Sequence, residues 1–172
     1  MSTTPTVRLL PITPTVADVA ADPAALAALC EASVDGVADV IASVVAQSEA
    51  HRARTGAPAD WGGFLVVDDR ARQVIGTCAY VGAPDAHGAV EIAYFTFPPY
   101  EGRGFGGAMA GALVDDAGAR GVVRMVYAHT LPAANASTRI LARQQFQQRG
   151  TAQDDEVGLV WRWERVLDAP PG

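Results

Sequence analysis

The chain has 172 residues, 49% of them hydrophobic, and a net charge of −6 from 13 basic and 19 acidic residues. That length suits one domain, read as residues 1–168 with a frayed tail at 169–172, and the composition is too apolar for a disordered chain. Arginines scattered through an acidic sequence that has no lysine argue against nucleic acid as a partner, and no apolar run is long enough to cross a membrane.

Residues 7–12 read as a first strand, closed by Pro11 and Pro14, which cannot donate to a sheet ladder. Helical spacing follows over 15–31, with a break at Asp22-Pro23, and again over 35–54, where Val37, Val40, Ile41, Val44 and Val45 share a face. From Gly63 the period changes to two. Residues 64–67, 74–81 and 90–97 read as three strands of an antiparallel meander. Pro98-Pro99 stops the last of them. A helix is expected over 104–120 with Gly121 as its C-terminal cap, then a strand over 122–128, a helix over 137–148 and a closing strand over 156–166. The strand–helix–strand passage from Val90 to Ala128 implies a right-handed parallel crossover. The expected fold is therefore α/β: a mixed, mostly antiparallel sheet with a parallel central strand pair and helices on both faces.

Cys30 and Cys78 sit in apolar surroundings with no CxxC spacing and no histidine nearby, the pattern of buried thiols in a reducing compartment. The first residues lack the basic and apolar regions of a signal peptide, so a cytoplasmic location is expected.

The informative segment runs from Tyr94 to Gly107, where a strand enters a glycine-dense turn that opens a helix. Backbone N–H groups at a helix N-terminus have no partner within the helix, and the helix dipole adds positive charge there. A pyrophosphate fits such a place, and glycines let it approach the backbone. Arg103 can add a charged donor. The Gly-Lys-Ser/Thr of a Walker loop is absent, and Gly102, Gly104, Gly106 and Gly107 do not have the spacing of a dinucleotide fingerprint.

Glu101-Gly-Arg-Gly-Phe-Gly106, approached through Thr96-x-Pro98-x-Tyr100, resembles the Q/R-x-x-G-x-G/A signature of the GNAT superfamily of acetyl-CoA-dependent N-acetyltransferases. The stretch from His129 to Phe146 and the strand Gly158-Leu-Val-Trp-Arg-Trp163 are similar to the Rim-like branch, which acetylates ribosomal-protein N-termini. The resemblance covers about Trp61 to Glu164. Glu101 stands where the family has Gln or Arg, Gln145 where it has Gly, and Leu141 or Ala142 where many relatives have a thiolate-protonating Tyr.

The resemblance implies acetyl transfer from acetyl-CoA to a primary amine of a small molecule, amino acid or protein N-terminus, with no metal. A homodimer is compatible with it. The alternative is a CoA-binding regulatory module that has lost transfer. The resemblance gives cofactor binding to the backbone of Phe95, Thr96 and Phe97, to Arg103, Gly104, Phe105, Gly106 and Gly107, and to Asn135 and Ser137. Glu91 and His129 compete as general base: a carboxylate on a mostly buried strand and an imidazole at the end of the next strand both suit proton transfer. Ser137 is the candidate partner of the departing thiolate. Asn135 and Ser137 also read as helix caps.

Overall fold

The computed structural model describes residues 3–168, so the proposed tail at 169–172 lies outside the described residues. One seven-stranded sheet runs through the molecule in the order β1-β2-β3-β4-β5-β7-β6. Its strands are β1 (Arg8–Pro11), β2 (Gly63–Asp68), β3 (Gln73–Tyr80), β4 (Ala89–Thr96), β5 (Met125–Thr130), β6 (Gln147–Asp154) and β7 (Gly158–Val166). Every pair is antiparallel except β4 and β5, as the crossover required. The helices are α1 (Pro14–Val19), α2 (Pro23–Cys30), α3 (Ala38–Thr55), α4 (Phe105–Ala119) and α5 (Ala136–Arg143). No helix among the described residues is long and apolar enough to cross a membrane.

Local chemistry accounts for the boundaries. Pro14 and Pro23 each occupy the first turn of a helix, α1 capped by Thr13 and α2 by Asp22; a missing N–H costs nothing there. The break expected at Asp22-Pro23 thus separates two short helices. Gly121, at φ +73°, takes the left-handed conformation just past α4. Cys30 and Cys78 are both buried and free.

The core packs both faces of the sheet. Leu65, Ile75, Ile92, Leu113 and Met109 are fully excluded from solvent, each worth roughly 1.5–3 kcal/mol of burial. The even-numbered side chains of β3 face α4: the Tyr80 hydroxyl donates to the Leu113 carbonyl at 2.9 Å and to Asp116 at 2.6 Å. Burial, then the Asp116 hydrogen bond, raises the phenol's pKa. The odd-numbered Thr77, Ala79, Ala93 and Phe95 border a cavity under Val40 and Val44 of α3.

Two expectations fail together. The helix placed at 137–148 ends at Arg143, and residues read as helix end and loop form β6, a seventh strand where six were expected. β6 is an edge strand of sequence QQRGTAQD, exposed along nearly its whole length. With neither face buried it has no apolar alternation from which to read its period. Its polar side chains suit an edge that must not recruit another strand. Asp154 closes the hairpin to β7 by accepting from the amides of Glu156 and Val157 at 2.8 and 3.0 Å.

Candidate active site

The parallel ladder between β4 and β5 is only three residues long: Ala89, Val90 and Glu91 face Met125, Val126 and Tyr127. Beyond that point β4 continues to Thr96 on β3 and β5 continues to Thr130 on β7. The two strands separate into a fork in the middle of the sheet. Both edges of the fork carry peptide groups whose natural partner would be another strand.

Alternation decides which groups point into it. The amide of Val81 donates to the Glu91 carbonyl at 2.9 Å, and the amide of Phe97 donates to the Ile75 carbonyl at 2.9 Å. Odd-numbered residues of β4 therefore aim their backbone at β3, and even-numbered ones aim theirs into the fork. Of the three residues expected to pair with a cofactor through their backbone, only Thr96 has that orientation. Phe95 and Phe97 are turned towards β3, and the Phe97 side chain is wholly buried. Tyr94, which the sequence reading passed over, takes their place at the fork. Finding it needed the β3–β4 register, which hydrophobic pattern alone does not supply.

Glu91 and His129 come together at the root of the fork. The Nδ1 of His129 lies 2.9 Å from Oε1 of Glu91, and each side chain is about one quarter exposed, at 25% and 24%. A carboxylate can only accept, so Nδ1 donates to it, and in the neutral imidazole Nε2 is then the acceptor. Read from sequence as rivals, the two residues form one hydrogen-bonded pair. Tyr127 stacks edge-on against His129 at 5.7 Å. Burial and then the Glu91 carboxylate raise the Tyr127 phenol's pKa.

On the opposite face of the sheet Tyr94 packs beside the start of α5. Burial pushes its phenol pKa up to about 12, and the neighbouring Ser137 opposes that shift, although the hydroxyl makes no hydrogen bond within the protein. The Tyr94 hydroxyl and Nε2 of His129 are, among the described residues, the two buried side-chain polar atoms left without a partner. Each such orphan costs roughly 1–3 kcal/mol. They belong to the two strands that part at the fork, Tyr94 to β4 and His129 to β5.

Asn135 is the N-cap of α5. Its Oδ1 accepts from the Thr138 amide at 3.0 Å, and Thr138 Oγ1 accepts from the Asn135 amide at 3.0 Å, a reciprocal capping box. The cap is therefore Asn135 with Thr138, and Ser137, half-buried, is free to face Tyr94.

The glycine turn has the expected form. Gly102 and Gly104 lie at φ +75° and +85°, and Gly104 is the N-cap of α4 without a side-chain cap. No group among the described residues accepts from the amides of residues 102–107, whereas Glu101 and Ala108 on either side are bonded to Pro98 and Gly104. Gly106 has a packing duty besides: a Cβ there would stand 2.6 Å from Cδ1 of Ile140, so the glycine lets α4 meet α5. Gly107 faces more open space, with the Gln144 amide 3.9 Å from where its Cβ would be. The Phe105 ring is buried in the core, leaving only its backbone towards the turn. Arg103 is exposed and folded back, donating to the Pro99 carbonyl at 3.2 Å. No group of three or more His, Cys, Asp and Glu among the described residues could hold a metal ion.

A family model described as an acetyltransferase (GNAT) domain matches residues 8–147. No curated protein sequence matches the chain. Among solved structures, RimL, the ribosomal L7/L12 alpha-N-protein acetyltransferase in complex with coenzyme A, is 17% identical, with 99% of this chain and 98% of that chain covered at a TM-score of 0.65. The acetyl transferase of Salmonella typhimurium that modifies the N-terminal serine of L7/L12 is 16% identical, with coverage of 95% and 96% and a TM-score of 0.64. The microcin C7 self-immunity acetyltransferase MccE, solved with acetyl-CoA and AMP, is 14% identical, with coverage of 94% and 93% and a TM-score of 0.65. At these identities the three likenesses are ones of fold. Because the matched segment runs from β1 to the first residue of β6 and so takes in both the turn and the fork, the chain belongs to the GNAT acetyltransferase family and is an acetyltransferase.

Proposed function

We propose that the protein transfers the acetyl group of acetyl-CoA directly to a primary amine, with the turn holding the pyrophosphate and the fork holding the pantetheine and thioester. The observation that carries this reading is the Glu91–His129 pair at 2.9 Å, seated where the parallel strands separate. The free amides of residues 102–107 bind the diphosphate at the positive end of α4, and Arg103 swings from Pro99 to add a charge. The pantetheine lies along β4 as an extra strand, bonding to the backbone of Tyr94 and Thr96. The side-chain N–H groups of Asn135 remain available to its amides.

In the transfer step the acceptor ammonium gives a proton to the hydrogen-bonded Glu91–His129 pair. The neutral amine then attacks the thioester carbon. Fork-facing N–H groups of β4 stabilise the charge on the carbonyl oxygen. The C–S bond breaks as the thiolate takes a proton from the side of the sheet where Tyr94 and Ser137 stand, and the new amide nitrogen releases its second proton, through solvent, to restore that donor. A phenol pushed up to about 12 by burial is protonated at neutral pH, so Tyr94 holds a proton beside the departing sulfur. Base and acid thus lie on opposite faces of one gap, with the reacting carbonyl between them.

We place this activity in the cytoplasm, supported by the buried free thiols Cys30 and Cys78, and take residues 1–168 as one catalytic domain. A homodimer is compatible with this reading. Acceptors of the relatives include a protein N-terminus, and this chain is expected to act on an amine of a small molecule, amino acid or peptide. Nothing in the structure favours a non-catalytic CoA-binding module. Thiol release from acetyl-CoA, measured across a panel of amines, tests the reading. Amine-dependent release that is lost in Glu91→Gln supports it, and acetyl-CoA binding without release under any amine contradicts it.

A further inference from the structure

A cavity of about 610 Å³ opens on the α3 face of the sheet. Its floor is the odd-numbered face of β3 and β4, its roof is Val40 and Val44 of α3, and Trp61 closes one side. Polar groups such as Gln47 and His51 reach it from α3, but none of the lining residues is an aspartate or a glutamate. The one arginine in the lining, Arg52, is paired with Glu49 at 2.7 Å.

Three observations tie this cavity to the chemistry. Val81, which lines it, sits just past the end of the β3–β4 ladder and opposite Glu91, its amide bonded to the Glu91 carbonyl at 2.9 Å. Opposed residues of a ladder share a face, with Cβ atoms about 5.5 Å apart. Ala93 and Phe95 follow Glu91 on that same face. The cavity's β4 wall therefore starts at Ala93, the next same-face position after Glu91, although Glu91 and His129 are not themselves among its lining residues. Phe95 is a large apolar side chain left 45% exposed, next to the place where the acceptor must sit. The Trp61 wall is also fixed in place: the Arg120 guanidinium stacks 4.3 Å over its ring, donates to the Asp60 carbonyl at 2.6 Å and pairs with Asp116 at 2.9 Å.

We propose that this cavity is the acceptor's side-chain pocket, and that it selects amines carrying a bulky apolar group, aromatic or branched aliphatic, whose ammonium stops at the Glu91–His129 pair. The inference rests on the acetyl-transfer reading above and deepens it. An apolar group entering the cavity exchanges water for Val40, Val44, Trp61 and Phe95. A polyamine would have to bury a second ammonium where no carboxylate lines the wall, which is costly. A small polar amine, such as a serine N-terminus, leaves most of the 610 Å³ unfilled.

The test is a comparison of kcat/KM at saturating acetyl-CoA for 2-phenylethylamine, tryptamine and leucinamide against ethanolamine, serinamide and spermidine. The apolar amines are expected to lead by about 100-fold, the range that pocket burial of a few methylene equivalents supports. Val44→Trp, which fills the cavity from α3, is expected to reduce that lead at least about tenfold. Should that variant misfold, Ala59→Trp narrows the same cavity from an exposed turn. Equilibrium binding of 2-phenylethylamine to the wild-type enzyme loaded with CoA gives a reading that needs no variant. Equal or better use of ethanolamine, serinamide or spermidine overturns the pocket assignment and leaves acetyl transfer standing. Acetyl-CoA binding with thiol release under none of these amines overturns both.

Discussion

Gln145 holds a conformation that its side chain opposes, and replacing it by glycine should stabilise the enzyme. Helix α5 ends in a Schellman motif. The Phe146 amide donates to the Leu141 carbonyl at 2.9 Å and the Gln145 amide to the Ala142 carbonyl at 3.1 Å, and Phe146 and Leu141 are both buried. The motif needs a left-handed residue after the helix, and Gln145 fills that place at φ +65°. A Cβ there costs roughly 1–2 kcal/mol. Glycine relieves this but loses about 0.5–1 kcal/mol through the greater freedom of the unfolded chain. The Gln145 side chain is exposed, so the exchange removes little else. The net gain is roughly 0.5–1 kcal/mol, and in a domain of this size the Tm should rise by about 1–4 °C. Differential scanning calorimetry of Gln145→Gly beside Gln145→Ala checks it. The glycine variant should gain stability and the alanine variant, which keeps the Cβ, should not. A fall in Tm for glycine, or an equal gain for alanine, would refute the argument.

Three further outcomes follow from the fork. Glu91→Gln should lower kcat by about 10²–10⁴-fold, the usual contribution of a general base, with little change in acetyl-CoA affinity. His129→Asn should fall in the same range, and the double variant should lose no more than the worse single one, because the residues act as a unit; losses that multiply would show independent roles. Tyr94→Phe should slow turnover while stabilising the apo protein by about 1 kcal/mol in urea unfolding, since it deletes a buried hydroxyl that has no partner. The pH dependence has a definite sign. The Tyr94 phenol is pushed up to about 12 when folded against 10.0 in the open chain, so the fold loses stability as pH rises from 10 to 12, where the unfolded chain ionises first. Tyr80, raised in the same direction, adds to this alkaline loss. Tyr94→Phe should therefore flatten the decline in stability between those pH values without abolishing it, and an unchanged slope would count against the assignment.

Much of this was legible in the sequence because it rests on local rules. Period-two runs marked β2, β3 and β4, Pro11 and Pro14 marked the end of the first strand, Asp22-Pro23 marked a helix break, and the glycines at 102 and 104 marked the end of a helix that could take an anion. What stayed hidden depended on neighbours distant in the chain. β6 carries no apolar face, so only its pairing with β7 reveals it. The orientation of the β4 backbone depends on register with β3, so sequence alone does not separate Tyr94 and Thr96, which face the fork, from Phe95 and Phe97, which face β3. Glu91 and His129 are 38 residues apart in the chain and look like competitors until the parallel ladder sets them side by side. The glycine expected before Phe146 shows the converse: its absence from the sequence did not remove the left-handed turn, which Gln145 adopts under strain.

In the proposed reading the unpartnered amides at the start of α4 hold the diphosphate, and one charge tests them. A Cβ on Gly102 would meet nothing within 4 Å, and Asn and Asp tolerate its left-handed conformation better than other side chains. Gly102→Asn and Gly102→Asp are thus nearly the same in shape and differ by one negative charge. Calorimetric titration with acetyl-CoA should show the Asp variant binding at least about tenfold more weakly than the Asn variant at low salt, a difference of roughly 1.4 kcal/mol. Equal affinities for the two folded variants would mean that the diphosphate is held elsewhere.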